Sequence, residues 1–213
     1  MTSLRTIACG VVFTILAASA AQSQTTDQPL LIVLIGPTGS GKTTQAEFLR
    51  KRFGIPTVSA DELIQANPEA LSKYRRPGIT PAPPELNPAV DALVAEKLAS
   101  LDLTKGVVLD GYPASKDQAD HLATLIAKLN LPAPIVFQLD LPDDVARQRL
   151  KERRHADDKP DLIEERLKNY HREMDAIGAY FPQARIWTIN TDKPVAEVSS
   201  AIEAILIDEM KKP

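Results

Sequence analysis

At 213 residues the chain is long enough for one domain with a sizeable core. Its formal charge of -3 excludes a broad nucleic-acid-binding surface, and a cysteine count of 1 (Cys9) excludes an internal disulfide. The 17 prolines sit mostly between apolar stretches, as in a loop-rich α/β domain without internal repeats.

Taken in order, Arg5 precedes an apolar run over residues 7–21 that ends on Ala18-Ser19-Ala20. A charged start, an apolar stretch and an A-x-A-like site are the parts of an export signal. Residues 1–21 are therefore expected to be a signal peptide and 22–29 a linker, with the mature domain periplasmic or secreted. The run is shorter than the ~20 residues of a spanning helix; an uncleaved N-terminal membrane anchor is the alternative. Cleavage would remove Arg5 and Cys9, leaving 24 basic against 28 acidic residues, a charge of -4.

Residues 30–35 then form a continuous apolar run that stops at a glycine-rich turn, as a central parallel strand does. The turn Gly36-Pro37-Thr38-Gly39-Ser40-Gly41-Lys42-Thr43 fits G-x-x-x-x-G-K-[ST], the phosphate-binding loop. Glycines let backbone N–H groups converge on one centre, and the helix that follows, residues 44–52, adds the positive end of its dipole. In such a loop the lysine, Lys42, reaches the β- and γ-phosphates and the Thr43 hydroxyl ligates Mg²⁺. The alternative is a strand–turn–helix connection whose glycines serve only the turn.

Further on, the pattern predicts a short strand at 55–59 and small helices at 61–66 and 71–74, broken at Pro68 and Pro77. An extended linker covers 81–88 and an amphipathic helix 89–100. A buried strand, 106–110, ends in Asp110. Next come a helix at 117–129, a strand at 134–139, a basic helix at 143–154, a long helix at 161–179, a strand at 184–189 and a closing helix at 195–210. Trp187, in an apolar strand, reads as core. Strands alternating with helices predict a three-layer α/β/α domain with a five-stranded parallel sheet, whose ligands bind at the carboxyl ends of the strands. Both the phosphate loop and Asp110 fall there.

Asp110 faces the loop from a neighbouring strand and could hold Mg²⁺ or its waters; taken alone, it reads equally as a turn aspartate. Arg147, Arg149, Arg153 and Arg154, with Arg166 further on, form a second constellation. Guanidinium forks stabilise the charge spread over a transferring phosphoryl group, and Arg149 and Arg153 share a helix face. The plainer alternative is a solvated basic face paired with Glu152, Asp157 and Glu165. Asp157 and Asp158, set between arginines, read as orienting them. His121, His155 and His171 show no metal-ligand spacing, and no Ser/His/Asp or Cys/His arrangement is evident.

From about Leu30 to the C-terminus the chain resembles the adenylate kinases and related nucleoside monophosphate kinases. Gly36 to Gln45 is similar to the family's G-x-P-G-x-G-K-G-T-Q. Asp110-Gly111-Tyr112-Pro113 with Gln118-Ala119 is similar to D-G-F-P-R-T-x-x-Q-A. Leu141-Pro142 with Arg149-Leu150 and Arg153, and then Asp157-Asp158 with Arg166-Leu167 and Tyr170, follow at the family's spacing.

The resemblance implies Mg-ATP as donor and a nucleoside monophosphate, AMP by default, as acceptor. It implies an acceptor-binding insertion at 59–88 and a very short lid at 153–158. Gly36, Gly39, Ser40, Gly41, Lys42, Thr43 and Thr44 would cradle the donor phosphates, and Arg149 would pack on the donor base. Lys42, Arg153 and Arg166 would be catalytic, Gln118 and Asp110 would serve the acceptor, and Thr43 with Asp110 would hold Mg²⁺. Only small-molecule partners are implied, on a monomer free of membrane and nucleic acid after cleavage.

The departures lie on the acceptor side. Gln65 and Ala114 stand where the family has arginines that grip the acceptor phosphate, Ala60 where it has a threonine, and His155 where it has a lid arginine. Losing two charge-assisted contacts of ~1.5–3 kcal/mol each weakens acceptor binding by orders of magnitude unless Arg75 or Arg76 substitutes. Two further readings stay open on this ground: an exported nucleotide-binding protein that has lost turnover, and a phosphate-loop kinase with another small acceptor.

Overall fold

The computed structural model describes residues 29–70, 72, 83–154, 158–180 and 185–212. Its strands are β1 (Leu30–Ile35), β2 (Thr57–Ser59), β3 (Gly106–Asp110), β4 (Ile135–Asp140) and β5 (Arg185–Asn190). Its helices are α1 (Lys42–Phe53), α2 (Ala60–Ala66), α3 (Pro83–Ala99), α4 (Lys116–Leu129), α5 (Asp143–Arg153), α6 (Pro160–Tyr180) and α7 (Val195–Glu209). The strands pair in the order β2-β3-β1-β4-β5, every pair parallel. The five-stranded parallel sheet expected from the alternation is therefore observed.

The apolar runs explain the layers. In β1, Leu31, Val33 and Ile35 point into a core shared with Val90 and Val94 of α3 and Leu122 and Leu125 of α4. Ile32 and Leu34 point the other way, onto Leu49 of α1 and Ile202 and Leu206 of α7. A strand buried on both faces needs no polar alternation, which is why β1 and β3 read as unbroken hydrophobic stretches. A third, smaller core of Leu141, Ala146 and Leu150 with Ile163 and Leu167 joins α5 to α6.

Two expectations are corrected. Residues 83–88 are the start of α3 rather than extended linker. Pro83 and Pro84 occupy a first turn, where the missing N–H has no intrahelical partner to lose. Trp187 is 36% exposed rather than core. It lies on β5, an edge strand with residues 185–188 all exposed, and its ring is flanked by Lys212 at 5.9 Å. The helix expected at 71–74 lies outside the described residues except for Ser72, as do the signal segment 1–21, Arg75, Arg76, His155 and Asp157.

Pairing register places the site. Leu34 of β1 is level with Asp110 of β3, and Ser59, which ends β2, is level with Asp110 on the other side. Three strand ends thus open at one edge, next to the loop that leaves β1. Among the described residues no helix is long and apolar enough to cross a membrane.

Candidate active site

The loop after β1 turns sharply beneath β4. A Cβ on Gly36 would stand 2.6 Å from the Leu139 carbonyl oxygen, so only glycine lets the chain pass this close. Gly41 then caps α1 without a side-chain hydrogen bond, and the first turn of α1 carries no acidic residue. The unpaired amides and positive dipole end are left for an outside anion.

Lys42 lies folded along this loop. Its Nζ donates to the carbonyl oxygens of Gly36 and Pro37, each at 2.9 Å. Burial holds its ammonium below the usual lysine range; Asp110 and Asp61 oppose the shift, while Arg153 and Arg166 add to it. These five charged groups therefore act on one another around one loop. Lys42 thus sits within electrostatic reach of Asp110, Arg153 and Arg166.

Thr43 Oγ1 donates to Asp110 Oδ2 at 2.8 Å. Asp110 is buried, which pushes its carboxyl up, with Asp61 and Glu62 pushing the same way and Thr43 and Lys42 pulling it down. A hydroxyl and a carboxylate so placed are hard oxygen donors of the kind Mg²⁺ takes, with phosphates and waters completing its shell. Ser40 Oγ, also in the loop, is buried without a hydrogen-bond partner among the described residues. Such a hydroxyl, beside the amides that open α1 and an ammonium bonded to loop carbonyls, fits a phosphate chain.

Arg149 closes the other side. Its Nη2 donates to the Thr191 carbonyl at 2.8 Å and its Nη1 to the Gly39 carbonyl at 3.4 Å. With Gly39, Ser40, Gly41, Thr44 and Pro194 it lines a cavity of about 370 Å³, the size of a small-molecule site.

Arg153 and Arg166 share one partner. Arg153 makes a bidentate pair with Asp158 at 2.9 and 2.7 Å, and Arg166 Nη2 reaches the same carboxylate at 3.1 Å. The Asp158 side chain is 1% exposed, whereas both guanidiniums are partly open. The α5–α6 core holds Leu150 and Leu167, the neighbours of Arg149 and Arg166, and so sets where the guanidiniums lie. The orienting role expected of the paired aspartates holds for Asp158.

The basic run is thus divided. Arg147 pairs with Glu164 at 2.6 Å on the surface, the plainer of the two readings, though with a different acid from those expected. Gln118 is buried, and its Oε1 accepts the Ala114 N–H at 2.7 Å, so its carbonyl is already used by its own loop. Gln65 and Ala114 are both exposed.

Sequence reasoning passed over Asp61 and Thr191. Both follow a strand at the carboxyl edge of the sheet, and that position was the available signal. Thr191 serves through its main-chain carbonyl, which no side-chain pattern announces.

Comparison with known proteins gives a consistent result. A family model described as adenylate kinase matches residues 34–186. An adenylate kinase of Mesorhizobium japonicum is 30% identical over 189 residues, covering 82% of this chain and 96% of its own. One of Mycolicibacterium smegmatis is 35% identical over 157 residues, covering 70% and 84%. One of a Cyanothece species is 32% identical over 189 residues, covering 84% and 96%.

Proposed function

The chain belongs to the adenylate kinase family, and from that premise we propose that it transfers the γ-phosphoryl group of Mg-ATP to a nucleoside monophosphate, AMP by default. The single observation that carries this reading is the phosphate loop itself, with Lys42 folded onto its carbonyls and Thr43 bonded to Asp110 on the neighbouring strand. Lys42 exchanges the Gly36 and Pro37 carbonyls for phosphate oxygens. The amides that open α1 bind the same chain, and Arg149 flanks the donor base in the neighbouring cavity. Thr43 and Asp110 would hold Mg²⁺, which would supply charge neutralisation on the donor phosphates. Arg153 and Arg166, already oriented by Asp158, stabilise the charge that spreads over the transferring group. The acceptor phosphate is itself an anion, so no general base is required.

A coupled assay on protein lacking residues 1–21 tests this. AMP-dependent formation of ADP from ATP is expected. Rates equal to those of a Lys42→Ala control would remove AMP as the acceptor, and other monophosphates would be screened in the same assay.

Lys42 also makes donor binding pH-dependent. Its ammonium loses the proton at lower pH than an ordinary lysine, and phosphate binding needs the charged form. ATP affinity is therefore expected to fall as pH rises from neutrality through that lowered value. In Lys42→Arg, weaker overall, affinity should stay flat over the same range because guanidinium remains charged. Calorimetric titration at stepped pH measures both.

On the acceptor side, Gln65→Arg with Ala114→Arg should tighten AMP binding at least about tenfold, since each charge-assisted contact contributes ~1.5–3 kcal/mol. No gain by calorimetry would mean that these positions do not face the acceptor phosphate. We also propose export, on the charged, apolar and A-x-A segments of residues 1–21. Amino-terminal sequencing of fractionated protein tests it, and an intact N-terminus on cytoplasmic material would refute it.

A further inference from the structure

The loop between β3 and α4 is tied to α3 at two points. Tyr112, two residues after Asp110, has a fully buried ring, and its hydroxyl donates to Asp91 Oδ1 of α3 at 2.7 Å. His121 Nδ1 of α4 lies 3.0 Å from the same hydroxyl oxygen and 3.5 Å from Asp91 Oδ1. With the hydroxyl proton directed to Asp91, Nδ1 carries its own proton and donates to the Tyr112 oxygen. One turn earlier on α3, Asn87 donates to Ser115 Oγ at 2.8 Å, and Ser115 caps α4. A single helix thus holds both ends of the segment that leaves Asp110 and leads to Gln118. The Asp91 side chain is 16% exposed; burial pushes its carboxyl up, Asp117 adds to this, and Tyr112 and His121 oppose it. A carboxylate is kept in an apolar layer only with such partners.

We propose that Asp91 is a positioning residue for phosphoryl transfer: through the Tyr112 hydroxyl it holds the loop that joins β3 to α4, and with it the start of α4 and Gln118, in its productive place. Acceptor use and turnover then depend on Asp91, while donor binding does not. This inference rests on the kinase reading above.

The test compares Tyr112→Phe, Asp91→Ala, Asp91→Asn and the Tyr112→Phe/Asp91→Ala double variant with the wild type. It reads kcat and KM for AMP, the calorimetric Kd for ATP, and the melting temperature. Tyr112→Phe and Asp91→Ala are each expected to lower kcat/KM for AMP on the order of tenfold, as a displaced reacting geometry does. The ATP Kd should stay within about twofold, because only the acceptor and transfer steps are touched. The double variant should be no worse than either single one, since both act through one bond. Asp91→Asn should recover most of the loss, because its amide oxygen still accepts the hydroxyl. Equal losses toward donor and acceptor, additive losses, or unchanged kinetics with only a lower melting temperature would each overturn the proposal. Should Asp91→Ala fail to fold, Tyr112→Phe, which keeps the buried ring, decides by the same split. A wild type that makes ADP from no monophosphate removes the kinase reading and this inference together; an active wild type matched by Tyr112→Phe removes the inference alone.

Discussion

Replacing Lys42 by alanine is expected to lower AMP-dependent ADP formation by about 10³-fold or more, the range lost when a preorganised cation is taken from a phosphoryl-transfer site. The effect should fall on turnover as well as on ATP affinity, because the ammonium bridges the phosphates whose charge changes during transfer. Structure gives the reason that no neighbour can stand in. Arg153 and Arg166 are anchored on Asp158 and Arg149 on the Thr191 carbonyl, each with its own place in the site, so none takes the place of Nζ at the Gly36 and Pro37 carbonyls. The fold should survive, since removing Nζ breaks only two bonds to loop carbonyls that water can reach once the side chain is gone. Single-turnover rates and a melting curve on the same preparation separate the two effects. A variant with wild-type rate would show that the phosphates lie elsewhere.

The parts legible in the sequence were those whose cause is local. The strand, the glycine turn and the helix start of residues 30–44 are set by neighbours in the chain, and β3 ends at Asp110 where the hydrophobic run ends. Burial of Trp187 was not legible, because an apolar run does not say whether its strand will be central or at an edge. Residues 83–88 looked extended because proline is usually a breaker, yet Pro83 and Pro84 cost little in a first helical turn, and the helix carries Pro88 in its interior. The arginines were legible as a cluster but not in their division. Arg149 reaches the Gly39 carbonyl of the phosphate loop and Arg153 pairs with Asp158, while Arg147, two residues from Arg149, meets Glu164 on α6. Which side of α5 faces the site depends on the α5–α6 packing, set by residues far along the chain. Asp91 and Tyr112 are 21 apart in sequence with no spacing to connect them.

The other large effect concerns stability. Gly106→Ala is expected to cost about 4 kcal/mol or more, a size reserved for backbone clashes and buried strain. Gly106 opens β3 with φ +93, a conformation that side chains rarely adopt. An added Cβ would also stand 1.8 Å from the carbonyl oxygen of Leu30 and 2.3 Å from its nitrogen. These are backbone atoms of β1, so no rotamer change relieves the contact. Register magnifies the damage. Leu30 pairs with Gly106 at the first rung of the β1–β3 ladder, and every later rung to Leu34 and Asp110 follows from it. A domain of this kind is stable by only ~5–15 kcal/mol, so a loss of this size removes a large share of the margin. Gly41→Ala is the matched control. It has positive φ as well, but nothing lies within 4 Å of its added Cβ, so it should lose only about 1–2 kcal/mol from conformation. Urea unfolding of both variants measures the difference: Gly106→Ala should shift the midpoint far more, or yield little folded protein, while Gly41→Ala remains folded. Equal midpoints would mean that β1 and β3 do not meet in the register described, and the alignment of Asp110 with the phosphate loop would fall with it.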